Sequence, residues 1–451
     1  MPDLLAARAQ MGTSLAFHIV FAALGVGLPL LFCIAEGLAL WRKDETWMTL
    51  TRRWVKASAV LFAIGAVSGT ILSFELGLLW PTFTEYSGSV IGLPFALEGF
   101  AFFLEAIFFG LYLYGWKRLS PLAHWLCSFP IWIGGLLSAW FVVSANAWMN
   151  TPAGFEIQNG EVVGINPIAA ILNPSTPYET THMIFACYVA TGFGVAALYA
   201  VSMLRGNRDE YRRKGLLLGM VMGSIALPFQ ILSGHASAVF LAEAQPTKLA
   251  AMEGHFRTEA GAPLRIGGWP DPATGQVHYA FEIPKGLSIL AYNDPDATVR
   301  GLDQFARADW PNVPLIHLSF DGMVSIGLLA LLIGTAFWFL YFKGKLSVPK
   351  NRWMLWAIGC LGPLAFLAIE LGWMVTELGR QPWVIYGVLR TEDAVTTATG
   401  LDVSFLVFSL IYVLLAITLA WLLHNLSRIP LPKGDQREKT SGPRAPERIG
   451  V

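Results

Sequence analysis

Nine apolar stretches, near 14–41, 54–77, 91–116, 124–148, 181–204, 217–240, 314–342, 352–376 and 401–424, dominate the chain. Each is long enough to cross a hydrocarbon core about 30 Å thick as a helix rising about 1.5 Å per residue. In lipid, every backbone polar group needs a partner within the protein, so runs of this length must be helical. The expected fold is an all-α polytopic membrane protein of about nine transmembrane helices. A chain of 451 residues that is 55% hydrophobic and 14% charged has the composition this requires, and its formal net charge of +0 points away from nucleic-acid partners.

The cysteines (Cys33, Cys127, Cys187 and Cys360) fall within apolar runs and read as small hydrophobes, not as a disulfide or metal framework. No short cleavable leader is expected ahead of the first run, which is expected to direct insertion itself. Lys and Arg gather in the first, third, fifth and seventh connections and in the C-terminal tail, and are missing from the second and fourth. The positive-inside rule then puts the N-terminus outside and the C-terminus in the cytoplasm.

The expected organisation is residues 1–240 for helices one to six, 241–313 for an extracytoplasmic loop, 314–428 for helices seven to nine, and 429–451 for a polar, disordered cytoplasmic tail. The loop opens with AEAQPTKLAAMEGHF (242–256), which reads as a short helix bearing Lys248 and Glu253. It continues in Gly/Pro-rich text, EAGAPLRIGGWPDPATG, expected to break regular structure. No internal repeat is evident.

Polar residues within the spans gather at one depth. His18 lies near the outer start of the first span, Glu75 near the outer end of the second, and Glu98 and Glu105 in the outer half of the third. His182 opens the fifth, Asp321 and Met323 come early in the seventh, and Glu370 and Glu377 close the eighth, while Glu36 alone lies at an inner end. Tolerated polar residues would scatter across depth, so a shared outer site explains them better. Two imidazoles, a thioether and a carboxylate form a ligand set for haem iron; taken singly, each also fits interhelical hydrogen bonding or core packing. Glu98 and Glu105, seven residues apart, share one helix face about 10 Å apart along the axis, as two stations of a proton relay or as a shared polar core. Asn146, with Trp148, ends the fourth span on the same side as a hydrogen-bonding wall.

The stretch GWMVTELGRQPWVIYGVLRT (372–391) ends an apolar run in Glu377, Arg380 and Gln381, with Pro382 stopping the helix. Such a corner suits a cofactor carrying carboxylates. It also fits a plain helix-end ion pair between Glu377 and Arg380, with Trp373 and Trp383 in an interfacial belt.

GWMVTELGRQPW resembles the signature of subunit I of the cytochrome bd-type quinol oxidases. The similarity extends through ARAQMGTSLAFHIVF around His18, FELGLLW around Glu75, LEGFAFFLEAIFFGLYLYGW around Glu98 and Glu105, ANAWM around Asn146, THMIFACYVATGF around His182, and QPTKLAAMEGHF in the loop. The LEGFAFFLEA text is closest to the cyanide-insensitive subgroup. The resemblance implies that His182 and Met323 ligate a low-spin haem b. His18 and Glu377 would serve the high-spin pair, a high-spin haem b and a haem d or further haem b, with either residue on either iron. It places Glu98 and Glu105 in the proton route or haem surroundings, Glu75 and Asn146 beside the cofactors, Trp373 between redox centres, Arg380 by haem carboxylates, and Lys248 and Glu253 in the quinol loop. It also implies a second polytopic subunit (subunit II), a small single-span subunit, and a place in the bacterial inner membrane.

One position departs from the family pattern, which usually has Phe-Arg-x-Met-Val where this chain has Phe320-Asp321-Gly322-Met323-Val324. An ionised Asp321 is expected to stabilise the oxidised low-spin haem and lower its potential. The reading that follows is a haem-bearing terminal oxidase subunit that oxidises membrane quinol at the outer face and reduces dioxygen to water, contributing to a proton gradient without pumping. The alternatives are a haem-bearing quinol oxidoreductase with a different donor or acceptor, a polytopic transporter using the buried acids as ion sites, and a structural scaffold.

Overall fold

The computed structural model describes residues 2–159, 161–349 and 351–430. Among them nine helices are long and apolar enough to cross a membrane. They are α1 (Asp3–Arg42), α2 (Glu45–Leu79), α3 (Pro81–Tyr114), α4 (Ser128–Asn150), α5 (Thr176–Leu204), α6 (Glu210–Ala244), α7 (Val313–Lys343), α8 (Arg352–Gly379) and α9 (Leu401–Ser427). Each takes up most or all of one of the nine apolar runs: α3 stops two residues before the end of its run, α4 starts four residues after the start of its own, and α1, α2, α3 and α6 extend well beyond theirs at the other end or at both. Caps set several starts: Asp44 accepts from the Thr46 amide before α2, Asp209 from Arg212 before α6, and Asn312 from Leu315 before α7.

The most buried of the nine helices is α5, whose inward face includes Ala190, Gly192, Ala196, Ala197 and Ala200. A Cβ on Gly192 would come within 2.4 Å of the Gly223 amide of α6, and one on Gly362 of α8 within 2.5 Å of Ala197. Backbones touch at these points. Small residues give close approach in a membrane, where water supplies no hydrophobic drive between helices. At the other extreme α9 is the least buried helix.

One end of the bundle is tied together by its connections. The Leu401 amide donates to Asp3, Thr396 to the Leu79 carbonyl, and Tyr386 to the Met149 carbonyl, while the Gln245 side chain donates to the Asn150 carbonyl. The starts of α1 and α9 and the ends of α2, α4 and α6 therefore share the side that carries the long loop, called here the loop side.

That loop fills the gap between Ala244 and Val313. Its expected opening helix is shorter, Pro246–Met252, because α6 continues through Ala244 and Pro246 starts a new helix. The Gly/Pro-rich text does not simply break structure. Leu264–Ile266 pairs with Phe281–Ile283, and Trp269–Asp271 with Gln276–His278, both antiparallel, with glycines at positive φ at the turns (Gly267, Gly268, Gly275). On the opposite side Glu36 is buried: His124 Nδ1 lies 2.7 Å from one carboxylate oxygen, and the Tyr112 hydroxyl donates to the other. This explains the lone inner acid as a lock between α1, α3 and the connection before α4. Most of the expected polar tail, residues 431–451, lies outside the described residues.

Candidate functional site

Most of the sequence-predicted residues line the loop-side half of the bundle, in several polar groups that do not form one metal cluster; Glu105, expected in the outer half, lies past the middle of α3 against Gly134 and Gly135 in the inner half of α4. Among the described residues, no group of three or more His, Cys, Asp or Glu side chains converges. Each candidate ligand stands on its own helix.

His18 of α1 is half-buried against α2, with Nδ1 3.0 Å from Ser68 Oγ. Two turns toward the loop side Gln10 donates to Glu75 at 2.9 Å, and Glu75 is fully buried. Gln10, Ser14 and His18 recur every four residues and so share one face of α1. That spacing was the available signal for Gln10, which reading for charged residues alone passes over. His182 of α5 is set against α6, with Nδ1 3.0 Å from Ser233 Oγ and Nε2 2.9 Å from the Gln230 amide nitrogen.

Glu98 and Glu105 follow one face of α3 toward α4. Ser138 donates to Glu98 at 2.9 Å. Glu105, only 6% exposed, fits where α4 has Gly134 and Gly135; a Cβ on Gly134 would lie 3.1 Å from the Glu105 backbone nitrogen. The two glycines make room for a carboxylic acid between helices.

Asn146, near the end of α4, donates to Glu377 at 2.5 Å, and Arg380 donates to the other Glu377 oxygen at 2.6 Å. The expected ion pair is therefore present, and α8 stops at Gly379, just ahead of Pro382. Yet the pair does not use up the arginine. Arg380 is 2% exposed, and its Nε and Nη1 have no partner among the described residues. Trp373 Nε1, Glu370 Oε1 and Gln230 Oε1 are likewise buried and unpartnered. Native interiors rarely leave such groups unpaired without a missing ligand or water, and two guanidinium nitrogens left free suit an additional carboxylate.

The loop residues are held inside the protein. Lys248 and Glu253 are both buried. Lys248 Nζ donates to Asn150 Oδ1 at 2.7 Å, Asn150 donates to Glu179 at 2.9 Å, and the lysine stem lies on Gly379, where a Cβ would come within 2.8 Å. Burial pushes the Lys248 ammonium below its usual range, while nearby Glu179 opposes the fall. Asn150, Glu179 and Gln245 are additions to the site; being outside the apolar runs, they carry no signal of burial in the sequence.

Met323 Sδ would lie 3.0 Å from a Cβ on Gly372, so this glycine lets the thioether reach α8. Asp321, two residues nearer the loop, accepts from the Gly267 amide at 2.6 Å and lies 3.4 Å from His317 Nε2. His317 in turn contacts the Met252 and Gly267 carbonyls at 2.7 and 3.0 Å. The residue that departs from the family pattern thus anchors the loop to α7.

Burial, with a smaller push from Asp321, raises the Glu253 carboxyl from 4.5 to about 8. Between these values the folded loop holds a proton that the unfolded loop does not, so its stability falls as pH rises through that window and the loss is complete above about 8. Limited proteolysis of the 241–313 loop is expected to speed up from pH 6 to pH 8.5, roughly, in the wild type and to lose this share of the pH dependence in Glu253→Gln. An unchanged profile in the variant would show that Glu253 is not the group responsible.

The chain matches the family described as cytochrome bd terminal oxidase subunit I over residues 6–429. It is 40% identical to the putative cytochrome bd menaquinol oxidase subunit I of Bacillus subtilis, over 94% of this chain and 96% of that one. It is 29% identical to the cytochrome bd-II ubiquinol oxidase subunit 1 of Escherichia coli, over 94% and 96%. The solved structure of the bd oxidase from Geobacillus thermodenitrificans superposes with a TM-score of 0.89 at 40% identity, covering 94% of this chain and 98% of that one.

Proposed function

The chain belongs to the cytochrome bd terminal oxidase subunit I family, and from that premise we propose how its residues serve a quinol oxidase. The observation that carries the reading is Arg380, a buried guanidinium whose Nε and Nη1 lack partners beside the half-buried Glu377. A haem carboxylate would supply those partners.

His182 and Met323 would hold a low-spin haem b, and His18 and Glu377 the high-spin pair, a haem b with a haem d or a further haem b. Bound there, the irons supply the one-electron chemistry that joins quinol oxidation to dioxygen reduction. Asn146 and Arg380 orient the Glu377 carboxylate from both oxygens. Glu98 and Glu105 hold and move protons, with Ser138 steering Glu98. Gln10 and Glu75 close the polar wall around His18, and Trp373 stands one turn before Glu377, between redox centres. Lys248 and Glu253 act from beneath the loop, shaping the quinol site. The multi-pass chain would lie in the bacterial cytoplasmic membrane with the loop outside, beside a second polytopic subunit and a small single-span one.

A dithionite-reduced minus oxidised visible spectrum and haem extraction of the purified complex test this directly. One low-spin and two high-spin centres are expected; a folded preparation without haem would sink the reading. Asp321→Asn should raise the midpoint potential of the low-spin centre, since it removes a negative charge near Met323 while keeping side-chain size. A redox titration with no movement would show that His317 and the Gly267 amide already offset that charge.

A further inference from the structure

Two hairpins of the bundle, α1–α2 and α5–α6, carry the same construction around a histidine. In each, the histidine is on the helix that leaves the loop side, and a Ser-Gly pair faces it from the helix that returns. Ser68 Oγ lies 3.0 Å from His18 Nδ1, and Ser233 Oγ lies 3.0 Å from His182 Nδ1. Each serine hydroxyl already donates to the carbonyl three residues before it, Gly65 and Gln230 respectively, at 3.0 Å. With its only hydrogen used, each serine oxygen offers the ring a lone pair, so Nδ1 must be the donor.

The residue after each serine is glycine, and it too is used in the same way. A Cβ on Gly69 would lie 2.9 Å from His18 Cε1, and one on Gly234 would lie 3.1 Å from His182 Cε1. The ring edge occupies the space that any other residue would fill. The proton held at Nδ1 leaves the electron pair on Nε2, and at His182 that pair faces the Gln230 side-chain nitrogen at 2.9 Å, a hydrogen bond that an iron bound to Nε2 would replace.

We propose that Ser68-Gly69 and Ser233-Gly234 are one positioning device used twice, each pair fixing the tautomer and rotation of an imidazole that presents Nε2 to haem iron. The inference rests on reading His18 and His182 as ligands, and it adds the groups that tune them. A hydroxyl acceptor at Nδ1 makes the neutral ring a better donor at Nε2 than an unpartnered one would be. Plain helix packing would explain the glycines but not two serines with the same hydrogen-bond order.

The test uses the whole oxidase complex with Ser68→Ala, Ser68→Thr, Ser233→Ala and Ser233→Thr. Haem per complex is measured by extraction, the iron–imidazole stretch by resonance Raman on the ferrous high-spin form, and the low-spin midpoint by redox titration. Ser233→Ala is expected to shift the low-spin potential upward and Ser233→Thr to restore it. Ser68→Ala is expected to shift the iron–imidazole stretch and Ser68→Thr to restore it. If either alanine variant loses haem, restoration by threonine supports the device and loss in both overturns it. Full haem with neither readout moved also overturns it. Haem retained in His18→Ala and His182→Ala would instead overturn the ligand reading itself, a separate failure.

Discussion

Glu377→Ala is expected to abolish quinol-dependent oxygen uptake and to remove or convert one high-spin haem. Among the described residues the carboxylate is the only hydrogen-bonded partner of Arg380's guanidinium, through Nη2 at 2.6 Å, and the arginine is 2% exposed. Deleting one side of a buried ion pair leaves an uncompensated charge, a loss of about 3–5 kcal/mol where it has been measured. Asn146 would lose its acceptor as well. The corner that aligns α4 with the end of α8 would then rearrange, and any ligand held there would go with it. Glu377→Gln separates the two contributions: it keeps an oxygen for Asn146 but removes the charge that holds Arg380. Haem extraction, the visible spectrum and oxygen uptake check both variants. An unchanged haem count and spectrum in Glu377→Ala would remove the residue from the ligand set.

The fold was legible because lipid leaves so few choices. Each apolar run had to become a helix, and each is helical over most or all of its length, from α1 around His18 to α9 at Leu401–Ser427. The buried acids were legible for the same reason: a carboxylate in a span is costly enough that Glu75, Glu98, Glu105 and Glu377 stand out against the apolar text, although helix length places Glu105 deeper than its run suggested. What did not stand out are the residues that cost little. Ser68, Ser233 and Gln10 are ordinary in a membrane helix, and only the partner across the hairpin or bundle gives each its role. The connections were hardest to read. Lys248 and Glu253 lie outside the spans, where sequence assigns exposure by default, yet packing of the short helix Pro246–Met252 onto Asn150 and Gly379 buries them. The β-pairs of the loop depend on turns at Gly267, Gly268 and Gly275, and glycine-rich text announces a bend without announcing what it joins.

Glu105→Gln is expected to cut oxygen uptake by about 10²-fold or more while leaving haem content and spectra intact, the size of loss typical of a positioned proton carrier. The substitution is chosen because the cavity is shaped for this side chain. Gly134 and Gly135 of α4 leave room beside it, and glutamine has the same outline, so packing is preserved while the exchangeable carboxyl proton is lost. Glu98 lies two turns nearer the loop side on the same face of α3 and takes a hydrogen bond from Ser138, which fixes its direction but leaves it dependent on a donor from deeper in the bundle. If Glu105 supplies that donor, Glu105→Asp should recover part of the uptake, since a carboxyl remains although it is one methylene short. If the pair is merely a shared polar core, Glu105→Gln should turn over at the wild-type rate, because an amide satisfies a hydrogen-bonded core as well as an acid does.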